Sequence, residues 1–576
     1  MRKLLHFLNG YWKESVLAPT FKMLEAIFEL LVPIAVTIII DEGVNKGDTK
    51  KIWLSCGFML LLAVIGLVSA VCAQFFAARA AVGFAAKLRS ALFEKIQSFS
   101  YAMTDGLGTS TLITRMTSDV NSVQTGVNMF LRLFMRSPFI VFGAMICALI
   151  IDVKLGLIFI GVIILLAIIV FGIMLISIAL HKKTQKRLDS VVSKVRENYS
   201  GVRVIRAFNK ESSELNDFDE RVDSLTKIQR FAGRISALMN PLTYVVINFA
   251  IILLIKNGAI HVNSGSITQG ELVALYNYMS QILVELIKLA SLIITLNKAS
   301  ASAQRISDVF DTPSDVEFNV DKDSTSNSNG VIFENVSFKY SKASDNNVIE
   351  NISFSAKNGE TIGIIGGTGA GKTTLINLLS GFYHANDGNV FINGKNASLL
   401  TVEDRKSTFG IVPQKAVLFA GTVRSNLLLG NDNATDEELW SALELASAKD
   451  FIMENPEGLD APVTQNGTNF SGGQRQRLTV ARALLRKPSI LILDDSASAL
   501  DYATEARMRK NIIGLDYSPT VFIISQRASS VMHADKIIVL EEGSAVGIGK
   551  HEELLKSCDI YREIYNTQFS NGGDAK

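Results

Sequence analysis

The residues Gly366-Gly367-Thr368-Gly369-Ala370-Gly371-Lys372-Thr373 decide the class of the second half of this chain. They read G-x-x-x-x-G-K-T, the pattern of a P-loop, whose backbone N–H groups surround phosphate groups. The apolar run Thr361–Ile365 precedes the loop, and Thr374–Leu379 follows it with the spacing of a helix. The motif needs this order of strand, loop and helix. The stretch therefore predicts a nucleoside-triphosphate site.

A second stretch, Ile490–Asp495, completes the predicted site. It is an apolar strand that ends in carboxylates, and Asp494 is expected to anchor Mg²⁺ beside the loop. Lys372 is expected to reach the β- and γ-phosphates, and the Thr373 hydroxyl to bind the same Mg²⁺. The predicted ATP ligands in and after the loop are Gly366, Gly367, Thr368, Gly369, Ala370, Gly371, Lys372, Thr373 and Thr374.

The composition indicates a membrane protein with room for several domains. Of 576 residues, 48% are hydrophobic and 19% are charged, and the net charge is +2. That charge predicts no nucleic-acid partner. The four cysteines are scattered, without metal-ligand spacing, and three lie in apolar stretches, so we expect small hydrophobic side chains in lipid-facing or packed helices rather than disulfides or metal ligands. The first apolar stretch lacks the features of a cleavable signal peptide.

Long apolar segments dominate residues 1–310, and we predict six transmembrane helices there. Each has about the 20 residues needed to cross the hydrocarbon core. A soluble helical domain is the alternative, which the almost uninterrupted apolar run Ile158–Ile178 argues against. The predicted spans are Val16–Ile40, Ile52–Phe76, Leu131–Ile151, Leu155–Leu180, Leu242–Ile260 and Glu271–Leu296.

Basic residues predict the orientation of these spans. They concentrate in the connection between spans two and three and in that between spans four and five, whereas the opposite connections are short and nearly balanced. The positive-inside rule then places both termini and the nucleotide site in the cytoplasm. The two basic connections read as amphipathic helices that project about 40 Å from the membrane. We expect a short helix at each tip, near Ser98–Gly108 and Phe208–Glu214.

Charged residues inside the spans are few, and such residues normally face a cavity or one another. Glu25 and Glu29 lie one turn apart and are predicted to line a cavity. Glu285 and Lys288 either face the same cavity or pair locally across three positions. The remaining two charges are Arg132 and Arg136.

The composition changes after the last span. Residues 311–330 are polar and linker-like, residues 331–568 alternate strands and helices, and residues 569–576 form a polar tail. The predicted fold class is an α-helical polytopic membrane domain followed by an α/β P-loop domain.

One motif between the P-loop and Asp494 is diagnostic. The run Asn469–Arg477 contains Ser471-Gly472-Gly473-Gln474 and resembles the signature sequence of ATP-binding cassette (ABC) proteins, although Phe470 stands where that family most often has Leu. A hydroxyl and glycine N–H groups at a helix start form an anion site. With six spans ahead of it, nearly the whole chain resembles an ABC half-transporter of the exporter type. The resemblance implies that this motif closes on ATP held by the opposite subunit.

The same resemblance implies roles for further residues. Tyr340 matches the aromatic residue that stacks on adenine, and Gln414 matches the glutamine that contacts Mg²⁺. Asp501 ends the loop that communicates across the dimer. The two cytoplasmic tips match the coupling helices, of which the second reaches the partner's nucleotide-binding domain.

Two positions depart from the family pattern. Asp495 stands where the family has the Glu that activates the attacking water, and its carboxylate is about 1.5 Å closer to the backbone. A misplacement of about 1 Å can cost about a hundredfold in rate. Gln526 replaces the switch His, and an amide cannot carry a proton or a positive charge. Both changes in one site predict that ATP binds but is hydrolysed slowly.

The intact signature and the altered site together predict a heterodimer with a homologous half-transporter. This chain would hold ATP, while its signature completes the partner's hydrolytic site. The expected cargo is a lipophilic or amphipathic compound, as in bacterial multidrug exporters. The alternatives are a nucleotide-gated channel or regulatory receptor, an importer on the exporter fold, and a lipid or peptide transporter. A soluble DNA-repair ATPase is excluded by the six spans.

Overall fold

A computed structural model describes residues 2–314, 330–340 and 346–569. The chain divides into two units, which are treated separately below. The membrane unit comprises residues 1–98 and 107–313, and the sheet unit comprises residues 99–106 and 314–576. Most of the predicted linker 311–330 and of the predicted tail 569–576 lies outside the described residues.

Within residues 2–314, six helical segments are long and apolar enough to cross a membrane, and this confirms the predicted fold class. Asp48 caps the second segment by accepting from the backbone N–H groups of Lys50 and Lys51, and Thr268 and Glu271 form a capping box at the sixth. The six segments are Trp12–Val44, Thr49–Gln97, Thr109–Ile151, Val153–Ala207, Glu211–Asn263 and Gln269–Asp311.

Several of these helices are much longer than a membrane is thick. The helix Val153–Ala207 has 55 residues, which corresponds to about 80 Å at 1.5 Å per residue. The third segment is interrupted, because Val120–Leu133 and Arg136–Ile151 are separate helices joined by a turn at Phe134 and Met135. The predicted span Leu131–Ile151 therefore begins before this turn.

The two tips differ from each other. Near Ser98–Gly108 the structure contains the predicted short helix, Tyr101–Leu107. At the second tip the prediction of a short helix is wrong: one long helix ends at Ala207 and the next, Glu211–Ala237, begins after a three-residue turn. Asn209 in that turn has φ +50°, a left-handed conformation that Asn tolerates, so the chain reverses without an extra helix.

Arg136 joins three membrane helices through carboxylates. Its Nη1 donates to Glu285 over 2.6 Å, and its Nη2 donates to Glu29 over 2.5 Å. Glu25 lies 3.7 Å from its Nε. The side chains of Arg136 and Glu285 are only 7% and 3% exposed, whereas that of Glu29 is 38% exposed. The guanidinium is therefore buried among charges of opposite sign.

The surrounding residues complete this cluster. Lys288 Nζ donates to Glu285 over 2.8 Å, so the predicted local pair exists, but Glu285 also accepts from Ser137 Oγ over 2.7 Å. Lys22 Nζ lies 2.6 Å from Glu25. Each of the three carboxylates therefore has a cationic partner, and the expected cavity-facing role of Glu25 and Glu29 stays a prediction.

The sheet unit contains twelve described strands. Six of them form one sheet in the order β12-β11-β3-β10-β9-β6, four form a second sheet in the order β2-β1-β4-β5, and β7 pairs with β8. In chain order, β1 to β12 are Val331–Phe338, Ile349–Ala356, Thr361–Gly366, Asp387–Ile392, Lys395–Asn396, Phe409–Val412, Gly421–Thr422, Pro462–Val463, Ile490–Asp494, Thr520–Ser525, Lys536–Glu541 and Ser544–Gly549.

The centre of the larger sheet is parallel and buried. Strands β11, β3, β10, β9 and β6 run parallel, and every residue of β9 is buried. Continuous apolar runs suit strands that are covered on both faces. The described helices after the P-loop are Lys372–Leu379, Val402–Thr408, Val423–Leu428, Asp436–Leu445, Lys449–Met453, Gly472–Leu484, Tyr502–Ile513, Ala528–Val531, His551–Ser557 and Asp559–Phe569.

Candidate functional site

A cleft of about 280 Å³ lies at the carboxyl ends of β3, β9 and β10. Parallel strands bring the residues that follow them to one edge of a sheet, where ligands of such sheets bind. The cleft is lined by Val348, Thr368, Gly369, Gly371, Lys372, Thr373, Thr374, Gln414, Asp494, Asp495, Ile524, Ser525 and Gln526. It brings together most of the predicted nucleotide and magnesium residues. Gly366, Gly367 and Ala370 belong to the loop but do not line the cleft.

The loop after β3 has the backbone of a phosphate cradle. Gly369 and Gly371 have φ +85° and +95°, and a Cβ on Gly371 would lie 2.7 Å from Ile349 Cδ1. Lys372 Nζ donates to the carbonyls of Gly366 and Gly367 over 2.9 and 2.7 Å. Lys372 is the first residue of the following helix, and its side chain folds back over the loop.

Burial works against both charges at the base of the cleft. It lowers the pKa of Lys372, an effect that the nearby carboxylates Asp495 and Asp494 oppose. It also raises the pKa of Asp494 to about 6, and the charge of Asp495 adds to that rise. Each charged form is thus destabilised in the free protein. Phosphate oxygens would stabilise the ammonium, and a divalent cation would stabilise the carboxylate.

Asp495 is held by its backbone at the end of β9. Its N–H donates to Ile524 O over 2.9 Å, and its carbonyl accepts from Ser498 N over 3.2 Å. Its φ is +45°, in the left-handed region. Gln414 Nε2 lies 3.5 Å from Asp495 Oδ2, so the side chains of Gln414 and Asp495 meet across the cleft.

Gln526 follows β10 directly and is one of the residues that line the cleft. The next residue, Arg527, donates from its Nη2 to Ser498 O over 3.2 Å. Ser498 belongs to the loop between Asp495 and Asp501. The loop that carries Gln526 is therefore tied to the loop after Asp495.

Tyr340 lies beside the cleft without lining it. The residue is 52% exposed, and its hydroxyl is 3.0 Å from Thr374 Oγ1. Its ring packs edge-on against Tyr383, with the ring centroids 5.1 Å apart. Its contact with adenine stays a prediction.

The sequence reasoning missed the contacts of Tyr383. Its hydroxyl donates to Asp105 Oδ2 over 2.5 Å, and the ring of Tyr101 stacks on Phe382 at 4.1 Å. The short helix of the first tip therefore packs within the sheet unit, next to the tyrosine that supports Tyr340. The Phe382-Tyr383 pair carried no motif signal, and only its place in the fold reveals this contact.

The predicted signature residues lie outside this cleft. Ser471 is exposed and caps the helix Gly472–Leu484: its Oγ accepts from Gln474 N over 3.2 Å, and Gln474 Oε1 accepts from Ser471 N over 2.8 Å. The N–H groups of Gly472 and Gly473 start the helix and have no acceptor inside it. This arrangement leaves a preformed anion site at the helix N-terminus.

Asp501 also lies outside the cleft. It caps the helix Tyr502–Ile513 by accepting from Thr504 N over 3.0 Å, and this hydrogen bond lowers the pKa of the carboxyl. Its role in communication between subunits stays a prediction.

Comparison with known proteins finds similarity over both halves of the chain. The model of the ABC transporter transmembrane region matches residues 16–286, and the ABC transporter model matches residues 349–498. An uncharacterised ABC transporter ATP-binding protein of Bacillus subtilis (strain 168) is 36% identical over 573 residues, covering 100% of this chain and 99% of the relative. A putative export ATP-binding/permease protein of Rickettsia prowazekii (strain Madrid E) is 29% identical over 570 residues, covering 99% of each chain.

A solved structure shares the fold. The structure of a bacterial Atm1-family ABC exporter with ATP bound matches with a TM-score of 0.80, covering 98% of this chain and 99% of that one, at 23% sequence identity.

Proposed function

The chain belongs to the ABC transporters, as an exporter-type half-transporter with an ATPase domain, and from this premise we propose that it is the ATP-holding subunit of a heterodimeric exporter. One observation carries the proposal. Asp495 and Gln526 line the same cleft as a complete phosphate loop, while the intact Ser471–Gln474 motif lies on a different surface. The chain thus combines a cleft suited to binding ATP with a signature motif suited to the ATP site of a partner subunit.

The position of Asp495 supports slow hydrolysis. A general base must lie within hydrogen-bond reach of the water that attacks the γ-phosphate. The backbone of Asp495 is fixed by its bonds to Ile524 and Ser498, so the strand end does not shift to compensate for a side chain that is about 1.5 Å shorter than Glu. Its carboxylate instead points toward Gln414.

The chemistry of Gln526 supports the same conclusion. Its amide can donate a hydrogen bond to a γ-phosphate oxygen, but it carries no positive charge to stabilise the transition state. Binding then survives, and the chemical step loses a contribution.

The same cleft offers a fitting site for magnesium. The Thr373 hydroxyl, the Gln414 amide and the Asp494 carboxylate provide oxygen atoms around it, and Mg²⁺ prefers oxygen ligands together with water and phosphate. When bound, Mg²⁺ would neutralise phosphate charge. Asp494, only 7% exposed, would be its carboxylate ligand.

The preformed anion site at Ser471–Gln474 lies outside the cleft that would hold this chain's own ATP. We therefore assign it to ATP held by a homologous partner subunit. There it would complete the hydrolytic site.

Cargo would enter a path between the six spans from the cytoplasm or the inner leaflet of the plasma membrane, with both termini and the ATP site cytoplasmic. The proposed cargo is a lipophilic or amphipathic compound, by analogy with bacterial multidrug exporters.

Hydrolysis by variants of the co-purified heterodimer tests this assignment. Ser471→Ala should lower MgATP turnover at least about tenfold, because it removes a transition-state contact at the active site. Asp495→Ala should keep turnover within about twofold, because its own site contributes little. Thr468→Ala, beside the signature, is the matched control and should change neither. Loss of turnover with Asp495→Ala but not with Ser471→Ala would reverse the assignment.

A gain-of-function variant sharpens the test. The chain purified alone should hydrolyse MgATP slowly, and Asp495→Glu combined with Gln526→His should raise that rate about tenfold or more by restoring the reach and charge of the site. If this variant hydrolyses ATP no faster than the wild-type chain, Asp495 and Gln526 do not limit the rate of hydrolysis.

A further inference from the structure

The last turn of the helix Asp559–Phe569 contacts the loop that carries Gln526. Gln568 Nε2 donates to Gln526 O over 2.8 Å, and Gln568 Oε1 accepts from Ala528 N over 2.8 Å. Strand β10 ends at Ser525, so these backbone groups lie beyond the hydrogen bonds of the sheet. A single side-chain amide therefore holds both ends of the stretch Gln526–Ala528.

The helix that carries Gln568 is firmly anchored. Tyr561 is fully buried, and its hydroxyl is 2.7 Å from His551 Nδ1. Tyr561 shares an apolar core with Ala528 and Val531, which belong to the helix after the Gln526 loop. Tyr561 and Gln568 are seven residues apart and thus lie on one helix face. Gln568 therefore acts from a rigid support.

Two hydrogen bonds of Arg527 hold the same loop. Arg527 Nη2 donates to Ser498 O, and Arg527 N donates to Ser525 Oγ over 3.0 Å. Gln526 lines the cleft, and hydrogen bonds hold its carbonyl and the two residues that follow it. Its reach toward the nucleotide is thus set by residues outside the cleft.

We infer that Gln568 is a positioning residue, which fixes the backbone from which Gln526 reaches the γ-phosphate of ATP. The inference rests on the proposed function, in which Gln526 makes that contact. Hydrogen bonds weaken steeply with distance and angle. A shift of the Gln526 backbone would therefore weaken the contact to the γ-phosphate and spare the contacts to the α- and β-phosphates. The preference for ATP over ADP reports on this difference.

The test uses the full-length chain in detergent, with equilibrium affinities measured for MgATP and MgADP. Gln568→Leu keeps the size of the side chain and removes both hydrogen bonds, and it should lower the preference for ATP about fivefold while the affinity for MgADP stays unchanged. Gln568→Glu keeps an acceptor for Ala528 N but loses the donor to Gln526 O, so it should lower the preference similarly. Thr567→Ala is the control, since among the described residues the Thr567 hydroxyl bonds only Glu563 O of its own helix.

Variants of Gln526 separate this inference from its premise. Gln526→Ala should lower the ATP preference about tenfold, and adding Gln568→Leu should lower it no further. An unchanged preference in Gln526→Ala would overturn the γ-phosphate role of Gln526 and the positioning inference with it. An effect of Gln526→Ala without one of either Gln568 variant would overturn the positioning inference alone. An equal loss of MgATP and MgADP affinity in the Gln568 variants would also overturn it, because such a loss indicates a purely structural role. If Gln568→Leu does not fold, Gln568→Glu decides.

Discussion

Arg136 in the membrane unit is a buried cation and Lys372 in the sheet unit is a partly buried one, and their partners differ in kind. Arg136 meets carboxylates of Glu285 and Glu29 at 2.6 and 2.5 Å. Lys372 donates only to carbonyls of its own loop, and it has no ion-pair partner among the described residues.

The comparison distinguishes two kinds of charged residue. Arg136 is stabilised by carboxylates of the chain itself, whereas the charges of the P-loop would be stabilised by a bound ligand. A buried charge is tolerated where an opposite charge and hydrogen bonds compensate its lost hydration. The cluster around Arg136 meets that condition within the chain. The P-loop does not, since burial lowers the pKa of Lys372 and raises that of Asp494. A nucleotide with its metal would supply the missing charges.

The largest effect on stability is expected at Arg136, whose charge is compensated by carboxylates of the chain itself. Arg136→Met would remove the cation that pairs with Glu29 and, among the described residues, one of the two that pair with the buried Glu285, and it should destabilise the chain by about 3–5 kcal/mol. Thermal unfolding in detergent measures this change. Lys3→Met is the control, because Lys3 and Asp311 form an ion pair with 71% and 51% exposed side chains and should leave the midpoint unchanged. Equal midpoints for both variants would refute the contrast.

A smaller effect on stability but a clear one on binding is expected at the P-loop. Lys372→Met should weaken MgATP binding about thirtyfold, because a charge-assisted contact to phosphate is lost. The midpoint without nucleotide should not fall, since Lys372 forms no ion pair among the described residues and burial already disfavours its charge. Titration calorimetry and unfolding with and without MgATP check both parts. A fall in stability as large as that of Arg136→Met would show that Lys372 is structural.

The smallest effect concerns the metal. Asp494→Asn should reduce the Mg²⁺-dependent gain in ATP affinity about tenfold and leave affinity in excess EDTA nearly unchanged, because the amide is a weaker ligand for a hard cation. The measurement compares ATP binding in Mg²⁺ and in EDTA for both proteins. An equal loss in the two conditions would place Asp494 in nucleotide binding rather than metal binding.

Much of the site could be predicted because its signals are local. The spacing of Gly366, Gly371 and Lys372 has a direct backbone meaning, and the apolar strand before Asp494 defines where its carboxylate lies. The spans were predictable for a similar reason, since length and apolarity alone mark a membrane helix. The second tip was not, because a three-residue turn through Asn209 and a short helix are compatible with the same polar stretch.

The sequence by itself determined that this chain has six membrane helices and an ABC-type nucleotide domain with two altered positions, Asp495 and Gln526. Only the tertiary structure decided which distant side chains meet: Arg136 with Glu285, Tyr383 with Asp105, and Gln568 with the backbone of Gln526. Motifs and periodicity follow from the backbone conformation of neighbouring residues. Contacts between residues 40 to 280 positions apart depend instead on how whole elements pack, which no local pattern encodes.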